Sequence, residues 1–159
     1  MNDTNQINNE AIRKSKILLV DDEPGLRTAV KTFLEDEGFE IFIAVDGEDG
    51  WEKAQTIFPD LIISDIMMPR SNGYALLEKI REDEKLGGTP VIFLTAKGMT
   101  LDRTQGYLAG IDDYISKPFD PDELSARVKN VINRQELSLI HISEPTRLLS
   151  ISDAVLWLK

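Results

Sequence analysis

Apolar residues recur along the chain in five short runs, and the segments between these runs follow the helical period. The runs cover Lys16–Val20, Glu40–Val45, Leu61–Ser64, Val91–Leu94 and Asp113–Ser116. Four of the runs are apolar at nearly every position, which is typical of parallel strands that are covered on both faces. The pattern therefore predicts five β-strands that alternate with helices.

Five further segments each place mainly apolar residues on one helical face. These faces comprise Leu26, Val30, Phe33 and Leu34; Trp51, Ala54 and Phe58; Ala75, Leu76, Lys79 and Ile80; Leu101, Leu108 and Ala109; and Leu124, Val128, Val131 and Ile132. Gly38 is expected to end the first helix in a left-handed conformation. Asp120 and Pro121 are expected to begin the fifth helix, which the pattern ends near Arg134. Trp51 and Phe58 are expected in the core.

Alternating strands and helices predict an α/β fold with an open, doubly wound, five-stranded parallel sheet, (βα)5. The crossover connections of such a sheet are right-handed. Ligands bind in these folds just beyond the carboxyl ends of the strands. The residues that close the apolar runs are therefore the first candidates for a functional site.

Polar residues close four of the five runs. Asp21 and Asp22 follow the first, Asp65 the third, Thr95 the fourth and Lys117 the fifth. Three carboxylates and one ammonium group give the predicted edge a formal charge of −2, which matches one divalent cation. Hard carboxylate oxygens favour Mg²⁺.

The same residues suit phosphoryl chemistry. A carboxylate oxygen such as that of Asp65 is a competent nucleophile toward phosphorus and yields an aspartyl phosphate. Mg²⁺ and Lys117 would neutralise the charge on the transferring group. Thr95 would donate a hydrogen bond to a phosphoryl oxygen, and the small side chain of Ala96 leaves room for that group to enter.

Composition narrows the function classes. The 159 residues suit one compact domain with short appendages, and the formal charge of −10 argues against a surface that binds nucleic acid. The chain has no cysteine, which excludes disulfides and thiolate metal sites. No apolar run approaches the roughly 20 residues of a membrane span, and residues 1–15 read as a disordered lead-in rather than a signal peptide. A cytoplasmic protein without membrane contacts is expected.

Residues 16 to about 134 resemble the receiver domain of two-component response regulators, of the chemotaxis-regulator-like type. The matching motifs are Val20-Asp21-Asp22-Glu23, Asp65-Ile66-Met67-Met68-Pro69, Leu94-Thr95-Ala96 and Gly110-Ile111-Asp112-Asp113-Tyr114-Ile115-Ser116-Lys117-Pro118-Phe119. Successive separations from Asp21 to Asp65, Thr95 and Lys117 are 44, 30 and 22 residues. The four motifs in this order, each at a predicted strand end, are highly specific. The resemblance implies a flavodoxin-like strand order 2-1-3-4-5.

The resemblance also implies roles at the phosphorylation site. Asp65 would accept a phosphoryl group from a sensor histidine kinase or a phosphotransfer protein. Asp22 would bind Mg²⁺ directly, with Asp21 assisting and the backbone carbonyl of Met67 as a further ligand. Lys117 would contact the phosphoryl group. The chain would then be a signalling switch and not an enzyme, since it would catalyse only its own phosphorylation and dephosphorylation.

Three further residues have roles implied by the resemblance. The peptide bond between Lys117 and Pro118 is expected to be cis. Thr95 would move toward the phosphate, and the ring of Tyr114 would turn into the vacated space. This movement would change the face that the predicted fourth helix and the fifth strand present to partners, and that face is a candidate for homodimer formation on phosphorylation.

Alternatives to a phosphorylated receiver in a longer transcriptional regulator remain open. One alternative is a single-domain regulator that acts by protein contact, and another is a degenerate receiver that signals without phosphate. A phosphohydrolase that uses an aspartyl phosphate would need a second acid two residues after the nucleophile, where this chain has Met67.

Residues 136–159 do not fit the pattern of the domain that precedes them. They are too few to fold independently. They could be an amphipathic extension that docks on a protein surface or the start of a longer regulator, and Ser138–Arg147 also resembles translated sequencing-adapter read-through. We favour read-through combined with truncation, which predicts a receiver domain over 16–135 followed by a short tail.

Overall fold

The computed structural model describes residues 14–68, 72–96 and 110–142, with side chains described as far as residue 135. These residues form five strands and four helices. In chain order they are β1 (Lys16–Val20), α1 (Pro24–Asp36), β2 (Glu40–Ala44), α2 (Gly47–Ile57), β3 (Leu61–Asp65), α3 (Gly73–Glu82), β4 (Val91–Thr95), β5 (Asp113–Ser116) and α4 (Pro121–Ile142). The helix predicted from Leu101, Leu108 and Ala109 lies outside the described residues, as do most of the predicted lead-in and the tail beyond Ile142.

The five strands form one parallel sheet in the order β2-β1-β3-β4-β5. β1 lies inside the sheet, where Leu19 pairs with Ile43 of β2 and with Ile63 of β3. The doubly wound fold and the strand order expected from the sequence are thereby confirmed.

The core has two layers because successive side chains of a strand point to opposite faces of the sheet. Ile17 and Leu19 of β1 pack with α1 and α4, whereas Leu18 and Val20 pack with α2 and α3. β3 and β4 are buried at every position. This double burial explains why their sequences are apolar without alternation.

Several predicted helix ends are confirmed. Gly38 follows α1 with φ +101°, a left-handed conformation that glycine adopts without steric cost. Asp120 caps α4, since its Oδ1 accepts a hydrogen bond of 2.9 Å from the amide of Asp122.

Two predicted helix faces need correction. Phe58 is 46% exposed and lies outside the core, because α2 ends before Pro59 and Phe58 itself adopts a left-handed conformation with φ 52°. On α3, Ala75 and Lys79 are exposed, and the buried face contains Leu77 beside Leu76 and Ile80. The true face of α3 is rotated toward Leu77, which lies with Leu76, Ile80 and the buried Gly73 against the sheet.

α4 is longer than the sequence pattern predicts. The helix continues from Arg134 to Ile142, so the domain boundary predicted at residue 135 falls inside it. No glycine or proline interrupts this stretch, and the next proline, Pro145, would clash with the carbonyl four residues earlier if the helix continued past it. Within the part of the chain that is described, no helix combines the length and apolar character that a membrane crossing requires.

Glu37, at the end of α1, joins this helix to α4. Its Oε1 accepts hydrogen bonds of 2.7 Å from Ser125 Oγ and 2.9 Å from Lys129 Nζ. These bonds, chiefly the one from Lys129, hold the pKa of Glu37 below its ordinary value of 4.5. A depressed carboxyl pKa stabilises the fold above the unfolded-state pKa, and this contribution is lost as the pH falls through the folded-state pKa.

Glu37→Gln is therefore expected to lower the stability slightly at neutral pH and to make no difference in strong acid. Thermal unfolding of both proteins between about pH 7 and pH 3 measures this convergence. Asp36→Asn, an exposed neighbour, is the control and should run parallel to the wild type. A Glu37→Gln difference that persists undiminished at the acid end would contradict the assignment.

Candidate functional site

The carboxyl ends of four strands bring their polar residues to one edge of the sheet. Asp21 follows β1 directly, Asp65 ends β3, Thr95 ends β4 and Lys117 follows β5. These side chains therefore lie together at the sheet edge that the sequence predicted.

Three carboxylates at this edge form a compact cluster. One oxygen from each of Asp21, Asp22 and Asp65 lies within 4.8 Å of the other two. Asp21 is fully buried and Asp65 is 9% exposed, whereas Asp22 is exposed. The amide of Asp21 donates to the Ala44 carbonyl at 3.1 Å and so continues the pairing of β1 with β2 by one residue. This extension turns neighbouring side chains to opposite sides.

Lys117 places its ammonium group between two of these carboxylates. Its Nζ lies 3.1 Å from Asp21 Oδ2 and 3.2 Å from Asp65 Oδ2. The Lys117–Pro118 peptide bond is cis, as the sequence predicted, and the Lys117 amide donates to the Thr95 carbonyl at 2.7 Å.

Burial and neighbouring charges shift the pKa values of Asp65 and Lys117. Burial raises the pKa of Asp65 above its ordinary value, the charge of Asp21 raises it further, and Lys117 only partly opposes them. Burial alone would lower the pKa of Lys117, but the Asp21 and Asp65 carboxylates outweigh it and raise that pKa. Both pKa shifts favour the protonated forms, the first chiefly because Asp65 is buried and the second because two carboxylates lie beside the Lys117 ammonium group.

The residues present fit a bound Mg²⁺ ion. The donors are carboxylate oxygens, which this ion prefers, and they are close enough together to share one small cation. Three carboxylates and one ammonium group leave a formal charge of −2. The Lys117 ammonium group lies beside the carboxylates of Asp21 and Asp65, so the site holds one positive charge there.

Neighbouring groups that the sequence did not single out hold the acids in place. The amide of Glu23 donates to Asp21 Oδ1 at 2.8 Å, and Arg27 Nη1 donates to the Asp21 carbonyl at 2.7 Å. The amide of Met67 approaches Asp65 Oδ1 at 3.4 Å. Arg27 lies six residues from its partner on a different element, and no local pattern marks that contact.

Gly73 allows α3 to start directly against the end of β3. A Cβ atom at this position would lie 2.7 Å from the Asp65 carbonyl and 3.0 Å from Ile66 Cα. The amide of Gly73 donates to the Ile66 carbonyl at 2.7 Å. Only glycine fits here without moving the backbone that carries Asp65.

The two residues predicted to form a switch lie on adjacent strands. Thr95 is opposite Ser116 in the register of β4 and β5, and Tyr114 is opposite Phe93. Thr95 is therefore a diagonal neighbour of Tyr114 on the same face of the sheet. Thr95 Oγ1 lies 3.4 Å from Ser116 Oγ, and the rings of Phe93 and Tyr114 are 6.1 Å apart.

An apolar groove of about 710 Å³ leads to the acidic site. Its apolar lining includes Leu26, Ala29 and Phe33 of α1, and Pro118 and Phe119 after β5. Asp65, Met67 and Lys117 also line the groove, so a molecule lying in it would reach the Asp65 carboxylate. Met67 is 62% exposed.

Known proteins share this fold and these motifs. Residues 17–129 match the family model of the response regulator receiver domain. Response regulator Rre1 of Synechocystis sp. is 50% identical over 144 residues, which are 90% of this chain and 62% of Rre1. The DNA-binding dual master transcriptional regulator RpaA of the same organism is 40% identical over 121 residues, which are 76% of this chain and 50% of RpaA.

Solved structures agree with these sequence matches. Chemotaxis protein CheY4 of Vibrio cholerae superposes with a TM-score of 0.71 at 31% identity, over 75% of this chain and 99% of CheY4. A CheY-like receiver domain protein of Methanospirillum hungatei gives 0.74 at 32% identity, over 79% of this chain and 99% of that one. This chain spans 62% of the length of Rre1 and 50% of that of RpaA. By fold, motifs and relatives, the chain belongs to the receiver domains of two-component response regulators.

Proposed function

We propose that Asp65 is the phosphoacceptor of this receiver domain and that its phosphorylation requires Mg²⁺. The observation that carries the proposal is the meeting of three carboxylates and Lys117 at one sheet edge, with Asp65 open to the groove. Asp21, Asp22, Asp65 and the Met67 carbonyl would hold the ion. The bound ion supplies positive charge that offsets the negative charge of the phosphoryl oxygens.

The proposed transfer step balances as a nucleophilic substitution at phosphorus. An oxygen of the ionised Asp65 carboxylate forms a bond to the phosphorus of a phosphohistidine. The P–N bond breaks, and its electron pair stays on the imidazole nitrogen. Lys117 Nζ, 3.2 Å from Asp65 Oδ2, is placed to pair with a phosphoryl oxygen on the new acyl phosphate.

Thr95 and Tyr114 are the proposed switch. Thr95 is 3% exposed, and its hydroxyl lies near that of Ser116 rather than on any site carboxylate. A phosphoryl group on Asp65 would offer it a charged acceptor, which is a stronger partner than a neutral hydroxyl. Movement of Thr95 would free space beside Tyr114 and change the exposed face of β5, a two-state response to a local change in charge.

The phosphoryl donor is proposed to be a sensor histidine kinase or a phosphotransfer protein that docks over the groove. The donor must bring its histidine to Asp65 at one end of the groove, and the Leu26, Ala29 and Phe119 side chains offer apolar contact beside that end. Kinases of this kind draw on ATP, so a cytoplasmic location belongs to the proposal. The chain would act as a switch that catalyses only its own phosphorylation and dephosphorylation.

The proposed output is transcriptional. The relatives Rre1 and RpaA are longer than this chain, and RpaA is a DNA-binding transcriptional regulator. The receiver would control a DNA-binding part of a longer regulator, and homodimer formation through β5 and the neighbouring face is one means of doing so. The receiver itself, with a chain charge of −10, is not proposed to bind nucleic acid.

Intact-mass spectrometry after incubation with acetyl phosphate tests the phosphorylation chemistry. With Mg²⁺, we expect the gain of a single phosphoryl group that is lost slowly by hydrolysis, and no gain when the metal is chelated. Turnover of added phosphomonoesters would instead favour a phosphohydrolase. A folded protein that takes up no phosphoryl group would be a receiver that signals without phosphate.

A further inference from the structure

The fifth strand is held to α4 by Arg127, whose Nη1 donates to both carboxylate oxygens of Asp113 at 2.7 and 2.9 Å, and the residues before Asp113 need a separate anchor. β5 has four residues and lies at an edge of the sheet, where β4 is its one partner among the described strands. It nevertheless contains Tyr114 and leads directly to Lys117. Because a short edge strand has hydrogen-bonding partners on one side only, the position of Lys117 depends on what fixes the start of β5.

Arg81, near the end of α3, contacts the residues that lead into β5. Its Nη2 and Nε donate to the Gly110 carbonyl at 2.6 and 3.2 Å. Its Nη1 donates to the Thr89 and Gly87 carbonyls at 2.6 and 3.1 Å. One guanidinium group therefore ties the connection before β4 to the residue three positions before β5.

Asp112 extends this arrangement to β4 itself. Its Oδ2 lies 3.4 Å from Arg81 Nη2 and accepts a hydrogen bond of 2.8 Å from the amide of Val91. The amide of Asp112 donates to the Val91 carbonyl at 2.9 Å. Two hydrogen bonds thus hold the first residue of β4 to the residue before β5, and Arg81 contacts the same Asp112 carboxylate.

The backbone conformation of Gly110 and its lack of a Cβ atom leave room for the Arg81 guanidinium group. It has φ +82°, and a Cβ atom there would lie 2.9 Å from Arg81 Nε. The Arg81 side chain is only 22% exposed, and burial lowers its pKa while Asp112 opposes this shift. An arginine that served only to contact solvent would donate its hydrogen bonds to water and not to three backbone carbonyls. Lysine, a point charge without the planar fork, cannot reproduce this pattern.

We propose that Arg81 is a positioning residue that fixes the start of β5 against β4 and thereby holds Lys117 beside Asp21 and Asp65. The proposal rests on the phosphorylation function proposed above, because Lys117 matters through that site. Arg81 itself does not touch the reacting groups among the described residues. It acts through Gly110 and Asp112 on the strand that leads to Lys117.

Hydrogen exchange of Arg81→Lys tests the positioning without any phosphorylation. Amides of residues 112–117 are expected to exchange at least about tenfold faster, as expected for the loss of a charged hydrogen bond. Amides of β1 and β3 should keep the wild-type rate. Arg134→Lys, at an exposed position of α4, is the matched control. Equal loss of protection throughout the sheet would make Arg81 a general stabilising residue and overturn the proposal.

A second pair of variants approaches the contact from its other side. Gly110→Ala introduces the Cβ that meets Arg81 Nε, whereas Gly38→Ala has a similar positive φ of +101° and no atom within 4 Å of the new Cβ. In a double-mutant cycle on β5 exchange, Arg81→Lys should be coupled to Gly110→Ala and additive with Gly38→Ala. Additivity with both would show that Gly110 does not act through Arg81, against the proposal.

The effect at the site is measured with acetyl phosphate, well below the unfolding temperature of each variant. Arg81→Lys is expected to slow phosphorylation several-fold at saturating Mg²⁺. Unchanged phosphorylation together with faster β5 exchange would overturn the link to Lys117. Failure of the wild type to take up phosphate would instead refute the proposed function, and the claim that Arg81 fixes β5 would be decided by the exchange data.

Discussion

Asp65→Asn is expected to abolish the Mg²⁺-dependent uptake of a phosphoryl group from acetyl phosphate. The amide replaces the carboxylate oxygen that attacks phosphorus and has almost the same shape, so the site is kept while its nucleophile is removed. Intact-mass spectrometry of the two proteins under identical conditions measures the difference. Of the effects predicted for this protein, this complete loss is the largest.

Two comparisons make the Asp65→Asn result specific. Asp36→Asn changes the same atoms at an exposed position of α1 and should be phosphorylated like the wild type. Tandem mass spectrometry of the phosphorylated wild type should locate the group on the peptide that contains Asp65. Continued stoichiometric phosphorylation of Asp65→Asn would show that another side chain is the acceptor.

Asp65→Asn is also expected to change the thermal stability of the protein in metal-free buffer. The folded-state pKa of Asp65 is raised, chiefly by burial, so its ionisation destabilises the fold as the pH rises above the unfolded-state pKa. In metal-free buffer, Asp65→Asn is therefore expected to unfold at a higher temperature than the wild type at neutral pH. The difference should shrink as the pH falls through the raised folded-state pKa toward about 4, and should vanish at still lower pH, where the carboxyl is protonated in both states.

Lys117→Met is expected to lower the rate of phosphorylation by about a hundredfold or more, the usual loss when one preorganised charge-stabilising donor is removed. Methionine keeps the unbranched chain but carries no charge. The Mg²⁺ affinity should change in the opposite direction, because removal of an ammonium group 3.1 and 3.2 Å from two carboxylates raises the negative charge available to the ion.

Opposite changes in rate and metal affinity distinguish Lys117 from a merely structural residue. The rate is followed by mass spectrometry and Mg²⁺ binding by titration calorimetry, each on protein shown to be folded by circular dichroism. Lys79→Met, at an exposed position of α3, should change neither quantity. A Lys117→Met protein that lost Mg²⁺ affinity together with the rate would indicate a collapsed site.

Much of the fold was predictable because it depends on patterns within single segments. Strands that are buried on both faces, such as β3 and β4, are mainly apolar, and the polar residue that ends each of them, Asp65 or Thr95, marks the sheet edge. The meeting of Asp21, Asp65 and Lys117 follows from the parallel strand direction together with the strand order, which places β4 between β3 and β5. Asp21 and Asp22 differ in burial for a reason that the sequence hides, namely that β1 continues its pairing through the Asp21 amide.

Other features were not predictable because they join distant positions. Arg81 follows an amphipathic pattern and would be taken for a solvated residue, yet its carbonyl partners lie 6, 8 and 29 positions away. The end of α4 was predicted too early because the prediction relied on a local pattern. Loss of apolar period near Arg134 suggested a stop, but the helix continues to Ile142 because nothing between them breaks it.

The two edge strands of the sheet differ in how they connect to the acidic site. β2 and β5 are both edge strands, but only β5 leads to a side chain that contacts the acidic cluster. If phosphorylation acts through Thr95 and Tyr114 as proposed, a partner that contacts β2 would meet the same surface in both states, so it would gain no preference between them and would not shift their populations. Such a partner would be a constitutive anchor, whereas discrimination between the two states requires contact with the side of β5.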